Sequence, residues 1–161
     1  MVITEPNPTL RKVASPITSF NNEELDNLIK LLFSVMQEKN GAGLSAPQLG
    51  VSKRIFVYGF DTNPRYPDAP AVPKTVIINP EILHLSLETV DLEEGCLSVP
   101  NRRGIIRRCK SIVFTTTGTD GIVHEKIAND FEARIVQHEI DHLNGILISE
   151  RAKNLYESNI P

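Results

Sequence analysis

The feature that most constrains this chain is the run Gln137-His138-Glu139-Ile140-Asp141-His142, which contains the pattern HExxH. On an α-helix, side chains four residues apart lie one turn apart on the same face. His138 and His142 would therefore point the same way and could bind one metal ion. A helix with two solvated or core histidines is the plainer alternative. The pattern favours a helix that carries a metal site.

The neighbouring residues set the expected limits of this helix. Asn129 or Asp130 can cap its start, and Asn144-Gly145 is a typical stop after about Leu143. The stripe that carries the two histidines also carries two large apolar residues, Phe131 and Ile135.

Composition limits the class of protein. A chain of 161 residues, 40% of them hydrophobic, can bury one ordinary core, so we expect a single domain over residues 1–161. The formal charge of −3 gives no basic surface for nucleic acid, and direct nucleic-acid binding is not expected.

The cysteines and the N-terminus bear on the compartment. Cys96 and Cys109 form no CxxC pair and no disulfide framework, which favours reduced thiols. The polar N-terminus lacks the apolar run of a secretory signal, and no stretch approaches the roughly 20 apolar residues of a membrane span. We expect a soluble cytoplasmic protein without a membrane partner.

An amphipathic helix is predicted near the N-terminus. Asn21 can cap it while Glu24 reaches back in a variant of the capping box, and Gly41 ends it. Its apolar residues recur at helical spacing: Leu25, Leu28, Ile29, Leu32 and Met36.

Segments rich in β-branched residues follow this helix. They are predicted as strands over Arg54 to Phe60, Thr75 to Asn79, Ile82 to Val90, Ile105 to Arg108, Ser111 to Thr117 and Ile122 to Ile127. Their connections are too short for crossover helices, so most pairs should be antiparallel. The four prolines within Asp61 to Lys74 exclude a helix or a central strand there and predict an exposed loop.

Two further segments have the residues that a catalytic metal site needs. Two histidines leave such a metal one protein ligand short, and Cys96 is the best third ligand, although a lone cysteine is often a small buried hydrophobe. Cys109, His84 and His124 lie in ordinary strand-like contexts. Gly41 to Gln48 suits irregular backbone close to a ligand, and the Gln48 amide could stabilise an oxyanion. A phosphate loop is disfavoured because no Lys-Ser/Thr follows the glycines.

Together these segments resemble the peptide deformylases, whose pattern is a GxGLxAxQ loop, an EGCLS segment and a QHExDHLxG helix. All three occur here in that order, as Gly41 to Gln48, Glu94 to Ser98 and Gln137 to Gly145. The resemblance implies an α+β fold with antiparallel sheets around a central HExxH helix. It also implies a metal-dependent hydrolase that removes the N-formyl group from the first methionine of nascent polypeptides and releases formate.

The resemblance assigns roles at the reacting centre. Cys96, His138 and His142 would be the metal ligands, and Glu139 would accept the proton of water and pass it to the departing amine. The Gln48 side chain and the backbone N–H of Leu97 would face the developing oxyanion.

The resemblance also assigns substrate-binding roles. Backbone around Gly43 and Gly95 would let the peptide lie as an added strand. The methionine pocket would be built from apolar residues, namely Leu44, Phe131 and Ile135. Arg103 would meet the substrate beyond its first residue, and Glu94 would pair with Arg108. For Arg103 and for the Glu94–Arg108 pair, ordinary surface charge is the simpler interpretation. Ser45, where the family often has Ala, is expected to be neutral, and the small Ala42 could widen the methionine pocket.

Other functions remain open at this point. An HExxH metallopeptidase would use a third His or Glu, a thiol amidase would use Cys96 as nucleophile, and a structural metal site would have four protein ligands. The ligand set accepts one divalent ion, expected to be Fe²⁺, with Zn²⁺, Ni²⁺ or Co²⁺ as alternatives. We also expect a monomer that works in transient proximity to the ribosome, of bacterial type or from an organelle.

Overall fold

The first long helix, α1 (Glu23–Glu38), starts one residue later than the sequence predicts. In the computed structural model, which describes residues 1–160, the cap is Asn22, whose Oδ1 accepts a hydrogen bond from Leu25 N at 2.8 Å. Asn21 cannot be the cap because its φ of 53° turns the chain, whereas a cap has extended backbone. After α1, Asn40 takes the left-handed conformation and Gly41 N donates to Met36 O.

Nine strands form three antiparallel sheets in the described part of the chain, residues 1–160. The strands are β1 (Gly43–Ser45), β2 (Ile55–Phe60), β3 (Val72–Ile78), β4 (Glu81–Leu85), β5 (Thr89–Cys96), β6 (Val99–Cys109), β7 (Ser111–Thr117), β8 (Val123–Asn129) and β9 (Tyr156–Glu157). Their orders are β1-β2-β3, β4-β7-β8 and β5-β6-β9, and every pair within them is antiparallel. The predicted antiparallel pairing is confirmed.

The prediction of a single strand from Ile82 to Val90 is wrong, because two strands, β4 and β5, cover this segment. The chain bends where Ser86 Oγ donates to Glu88 O at 2.7 Å, so β4 and β5 end up in different sheets. The strand predicted from Ile105 begins already at Val99, because it pairs with the whole of β5. Strand propensity marks extended chain but does not say where a chain changes sheet.

The proline-rich segment is a loop over residues 61–71 but is not simply exposed. Its Asn63 and Arg65 side chains are buried, since the loop folds back over the pocket described below. Its last residues, from Val72, belong to β3, and Pro73 is tolerated there because β3 is an edge strand.

The HExxH helix, α2 (Asp130–Leu143), lies at the centre. It contacts strands of all three sheets and buries its apolar face in the largest core cluster, with Ala133, Val136 and Leu143. A second cluster joins α1 to the sheet β1-β2-β3. The predicted α+β class and the central helix are confirmed. Within residues 1–160 no helix is long and apolar enough to cross a membrane.

The end of α2 matches the predicted stop. Gly145 has a φ of 73°, its N–H donates to His142 O, and Ile146 N donates to Asp141 O at 2.8 Å. This is the pattern of a Schellman motif. A short helix, α3 (Ile148–Arg151), follows.

Replacing Gly145 by Ala should destabilise the fold strongly. A Cβ at Gly145 would lie 2.4 Å from Arg11 O, in addition to the left-handed strain of about 1–2 kcal/mol. Gly50 is the matched control, because its φ is 81° but a Cβ there meets nothing within 4 Å. Urea unfolding should show a clearly larger loss for Gly145→Ala than for Gly50→Ala; equal losses would contradict the close approach to Arg11.

Candidate active site

Three side chains from two elements converge at the centre of the molecule. Cys96 ends β5, while His138 and His142 lie one turn apart on α2. Their ligand atoms lie within 4.8 Å of one another, and Cys96 Sγ is 3.3 Å from His142 Nε2. One thiolate and two imidazoles form a donor set for a divalent transition-metal ion. The fold thus brings together the three ligands expected from the sequence.

His138 is oriented by a buried carboxylate. Its Nδ1 lies 2.8 Å from Glu94 Oε1. Because an ionised carboxylate only accepts hydrogen bonds, Nδ1 carries a proton, and Nε2 is the nitrogen that would give its lone pair to a metal ion. In metal sites, a residue behind a histidine ligand commonly fixes the tautomer and the orientation of its ring in this way.

Glu94 also binds two guanidinium groups. It is 1% exposed and accepts from Arg108 Nε and Nη2, each at 3.0 Å, and from Arg134 Nη1 at 2.5 Å. The Glu94–Arg108 pair is therefore a buried ion pair and not a surface one. Arg134 was missed by sequence reasoning, although it lies four residues before His138 and so on the same side of the helix.

These contacts keep the Glu94 carboxylate ionised. Burial by itself would raise the pKa of Glu94, but the hydrogen bonds from His138 and Arg108 and the charge of Arg108 outweigh it and lower the pKa. Arg108 continues the network through Nη1 to Asp141 Oδ2 at 2.6 Å, and Arg151 binds the same carboxylate. The Asp141 of the motif thus connects α2 with β6 and α3.

The Cys96 thiol is favoured as thiolate. Burial would raise its pKa, but the charge of His142 and the hydrogen bond to His138 outweigh burial and lower the pKa well below the usual value. The thiolate is the form that binds metal ions.

Glu139 is a buried carboxylate that is not part of this ligand cluster. It is 3% exposed, and its Oε1 has no hydrogen-bond partner within residues 1–160. Burial raises the pKa of Glu139. The β1 backbone passes close by, since a Cβ on Gly43 would lie 2.8 Å from Glu139 Oε2. An unpaired buried oxygen beside a ligand cluster is suited to accept a proton.

Hydrogen bonds hold both the oxygen and the nitrogen of the Gln48 side-chain amide. Its Oε1 accepts from Ser45 N and Ser45 Oγ, each at 3.0 Å. Its Nε2 is thereby turned toward Ser98 Oγ at 3.1 Å and Cys96 Sγ at 3.9 Å. Ser45 is therefore more than a small residue in place of alanine, because its hydroxyl helps to hold the amide.

Cys96 and His138 line a pocket whose empty volume, including open solvent, is about 410 Å³, whereas His142 is not among its lining residues. Most of the predicted residues line it, namely Gly43, Gln48, Gly95, Cys96, Leu97, Phe131, Ile135, His138 and Glu139. Ala42 also lines it. Leu44 does not, because it is fully buried in the cluster between α1 and the first sheet.

Arg103 does not line the pocket but lies next to two residues that do, Gly95 and Tyr66. Arg103 is 3% exposed, donates through Nε to Glu93 Oε1 at 2.7 Å and lies over the Tyr66 ring. It is thus buried rather than a surface charge. Arg65 and Tyr66 come from the proline-rich loop and line the pocket. Sequence reasoning missed both, since nothing local shows where a loop folds back.

The site combines a Cys-His₂ cluster with an adjacent buried glutamate, and the helix that carries the histidines is enclosed by antiparallel sheets. This combination is typical of metal-dependent hydrolases. The polypeptide deformylase family matches residues 1–158. Relatives include peptide deformylase 2 of Ralstonia nicotianae, 49% identical over 90% of this chain and 82% of its own length. Peptide deformylase 1 of Bordetella pertussis is 45% identical over 92% of this chain and 84% of its own.

Solved structures agree with these relatives. A class I type b peptide deformylase from Acinetobacter baumannii, bound to Met-Ala-Ser, has a TM-score of 0.90 and 42% identity over 94% of this chain and 96% of its own. The enzyme from Thermotoga maritima has a TM-score of 0.85 and 38% identity over 96% and 97%.

The chain belongs to the polypeptide deformylase family. Its activity is the metal-dependent removal of the formyl group from the N-terminal methionine of nascent chains.

Replacing Glu94 by Gln should damage both the fold and the metal site. Removing this charge takes the carboxylate partner from the buried Arg134 and leaves Arg108 with Asp141. Breaking a buried ion pair typically costs about 3–5 kcal/mol. Loss of a partner that orients a ligand typically weakens metal affinity roughly 10–100-fold. Urea unfolding and competition with a chromogenic chelator measure the two effects. Asp91→Asn, which breaks the exposed pair with Arg107, is the control and should change neither; equal behaviour of the two variants would contradict the role of Glu94.

Proposed function

We propose that Cys96, His138 and His142 hold the metal ion that the family requires. The convergence of their ligand atoms within 4.8 Å, with His138 oriented by Glu94, supports this assignment. A divalent ion there supplies Lewis acidity, which lowers the pKa of water and makes it nucleophilic near neutral pH. The protein's own groups perform the remaining tasks.

Glu139 moves the proton. Its carboxylate accepts a proton from the attacking water and returns it to the nitrogen of the departing methionine, so one group serves as base and then as acid. Its burial and its unpaired Oε1 support this role, because no residue within 1–160 forms a hydrogen bond with that oxygen.

Gln48 and the backbone N–H of Leu97 stabilise the oxygen of the formyl group when its carbon becomes tetrahedral. Ser45 fixes Gln48 so that the amide N–H groups face Cys96, and this preorganisation is what oxyanion stabilisation requires. Leu97 follows Cys96 directly and lines the same pocket.

The peptide lies between two free strand edges. β1 and β5 are edge strands of their sheets, and they bring Gly43 and Gly95 to the pocket. Main-chain pairing with these edges aligns peptides of any sequence. Arg103 would meet the residues after the methionine, and its closeness to Gly95, where an added Cβ would lie 2.6 Å from Arg103 Nη1, supports this role.

The methionine side chain packs against Phe131 and Ile135, with the small Ala42 leaving room. A thioether packs favourably against an aromatic ring. We further infer that the site near the ligands is tight enough to admit the formyl hydrogen and exclude an acetyl methyl.

The same arrangement disfavours the alternatives. Cys96 shares a cluster with both histidines, whereas a thiol nucleophile needs one histidine as its base. A structural site with four protein ligands would leave Glu139 without a task.

We infer Fe²⁺ as the native ion, with Zn²⁺, Ni²⁺ or Co²⁺ able to replace it, because a mixed thiolate and imidazole set accepts all four. The substrate places the protein in the cytoplasm or an organelle where formyl-methionine is made, in transient proximity to the ribosome. We propose a monomer in which residues 1–161 form a single domain, supported by the contacts of α2 with all three sheets.

The test of this function is anaerobic release of formate from formyl-Met-Ala-Ser by iron-loaded protein, beside its acetyl analogue. We expect formate from the formyl peptide, negligible acetate from the acetyl peptide, and loss of activity after chelation. Air should inactivate the iron form faster than the zinc form. Activity that survives removal of the metal would support Cys96 as a nucleophile, and efficient deacetylation would refute the exclusion of the methyl group.

Replacing Gln48 by Ala should lower kcat by a factor of about 10²–10³, the typical effect of removing one oxyanion donor. KM should change little, because the donor acts mainly on the transition state. Steady-state formate assays of the metal-loaded variant measure both constants. A change confined to KM would contradict the role, and Gln37→Ala on the exposed side of α1 is a suitable control.

A further inference from the structure

The hydroxyl of Tyr66 binds both main-chain groups of Gly95. Gly95 N donates to Tyr66 Oη at 2.9 Å, and the Tyr66 hydroxyl donates to Gly95 O at 3.2 Å. A hydroxyl can donate one hydrogen bond and accept others, so one phenol satisfies the N–H and the C=O together. This is the pair of bonds that one residue of a neighbouring antiparallel strand would make.

Gly95 lies on the free edge of β5. Its other side faces β6, where it pairs with Arg103. The edge strand β1 borders the same pocket, because Gly43 and Gly95 both line it. Successive residues of a strand direct their main-chain N–H and C=O groups to opposite sides. The residues of a peptide between these edges would therefore form hydrogen bonds with β1 and β5 in turn.

Tyr66 and such a peptide therefore compete for Gly95. The residue of the peptide that faces β5 needs the same N–H and C=O that Tyr66 already binds. If the methionine main chain pairs with β1, the residue after it is the one that pairs with β5. Both partners cannot occupy the β5 edge at once.

The contacts that hold Tyr66 are individually weak. Its ring meets Phe131 edge-on at 5.2 Å and lies 4.7 Å from Arg103 Cζ. Much of the loop's main-chain hydrogen bonding is internal, from Tyr66 N to Asn63 O and from Ala69 N to Tyr66 O. The loop itself is anchored, because Asn63 Nδ2 donates to Asn40 O at 2.9 Å and Arg103 Nη2 donates to Arg65 O at 3.2 Å. The Tyr66 side chain is therefore the part that has to turn away when the hydroxyl gives up its bonds.

We propose that Tyr66 determines substrate selectivity by occupying the place of the peptide in the resting enzyme. Only a peptide substrate whose second residue offers both an N–H and a C=O displaces the Tyr66 hydroxyl completely. Formyl-methionine without a following residue leaves Tyr66 in place. The inference rests on the proposed binding of peptide between β1 and β5, and it gives the Tyr66 side chain the role of a cover that peptides displace.

The test compares wild type with Tyr66→Phe, which keeps the ring and its contacts but removes the competing hydroxyl. KM for formyl-Met-Ala-Ser should fall roughly three- to tenfold, the range expected from one or two net hydrogen bonds, with kcat nearly unchanged. KM for formyl-methionine should change by less than about twofold, because no second residue reaches β5. Calorimetric Kd values for the product Met-Ala-Ser should fall in parallel with KM.

Tyr58→Phe is the matched control, since it removes a hydroxyl that binds Glu132 away from the pocket. It should leave all KM values unchanged. If wild type releases formate but Tyr66→Phe leaves KM and Kd unchanged, or raises them, the selectivity role is refuted while the function stands. If wild type releases no formate, the proposed function itself fails, and the Met-Ala-Ser titration still reports whether the hydroxyl competes with a peptide.

Discussion

The buried carboxylate of Glu94 is the contact on which the site depends. It joins β5, which carries Cys96, to Arg108 on β6 and to Arg134 and His138 on α2. This side chain is one of the links between sheet and helix, and it is the one that also contacts a histidine of the site. The distance between the thiolate on the strand and the imidazoles on the helix is therefore fixed by the same group that sets the tautomer of His138.

The buried charged cluster of Glu94, Arg108 and Arg134 is not explained by the stability of the fold. Desolvating a carboxylate and two guanidinium groups costs several kcal/mol per ion, which the mutual attraction offsets only in good geometry. Apolar residues of similar volume could hold a strand against a helix as well. What they could not do is orient an imidazole, so the charged cluster is explained by the ligand it positions.

The sequence predicts those parts of the molecule that depend on neighbours along the chain. The two histidines of α2, its glycine stop and the apolar face of α1 follow from helical spacing and capping, and the structure agrees. Residue chemistry made Cys96 the best candidate for a third ligand, but the resemblance to a family gave the stronger argument, because no local pattern connects a strand end with a helix 42 residues later. The same limit explains why Arg134 and Tyr66 were missed and Leu44 misplaced: their roles depend on which surfaces meet after folding.

The two strand edges connect the architecture with the reaction. An edge strand normally needs protection from pairing with other chains. Here the edges of β1 and β5 face one pocket, where a peptide can pair with both, and Tyr66 covers one of them. The pairing recognises main chain, which suits an enzyme whose substrates share only their first residue.

The central claim is that α2 presents two metal ligands and, between them in sequence, the group that carries the proton. The most direct test is the rate of formate release by Glu139→Gln protein shown to bind as much metal as wild type. The account predicts a loss of at least about 10²-fold in kcat, as expected for general acid and base catalysis. A metal-loaded variant within a few-fold of the wild-type rate would contradict it.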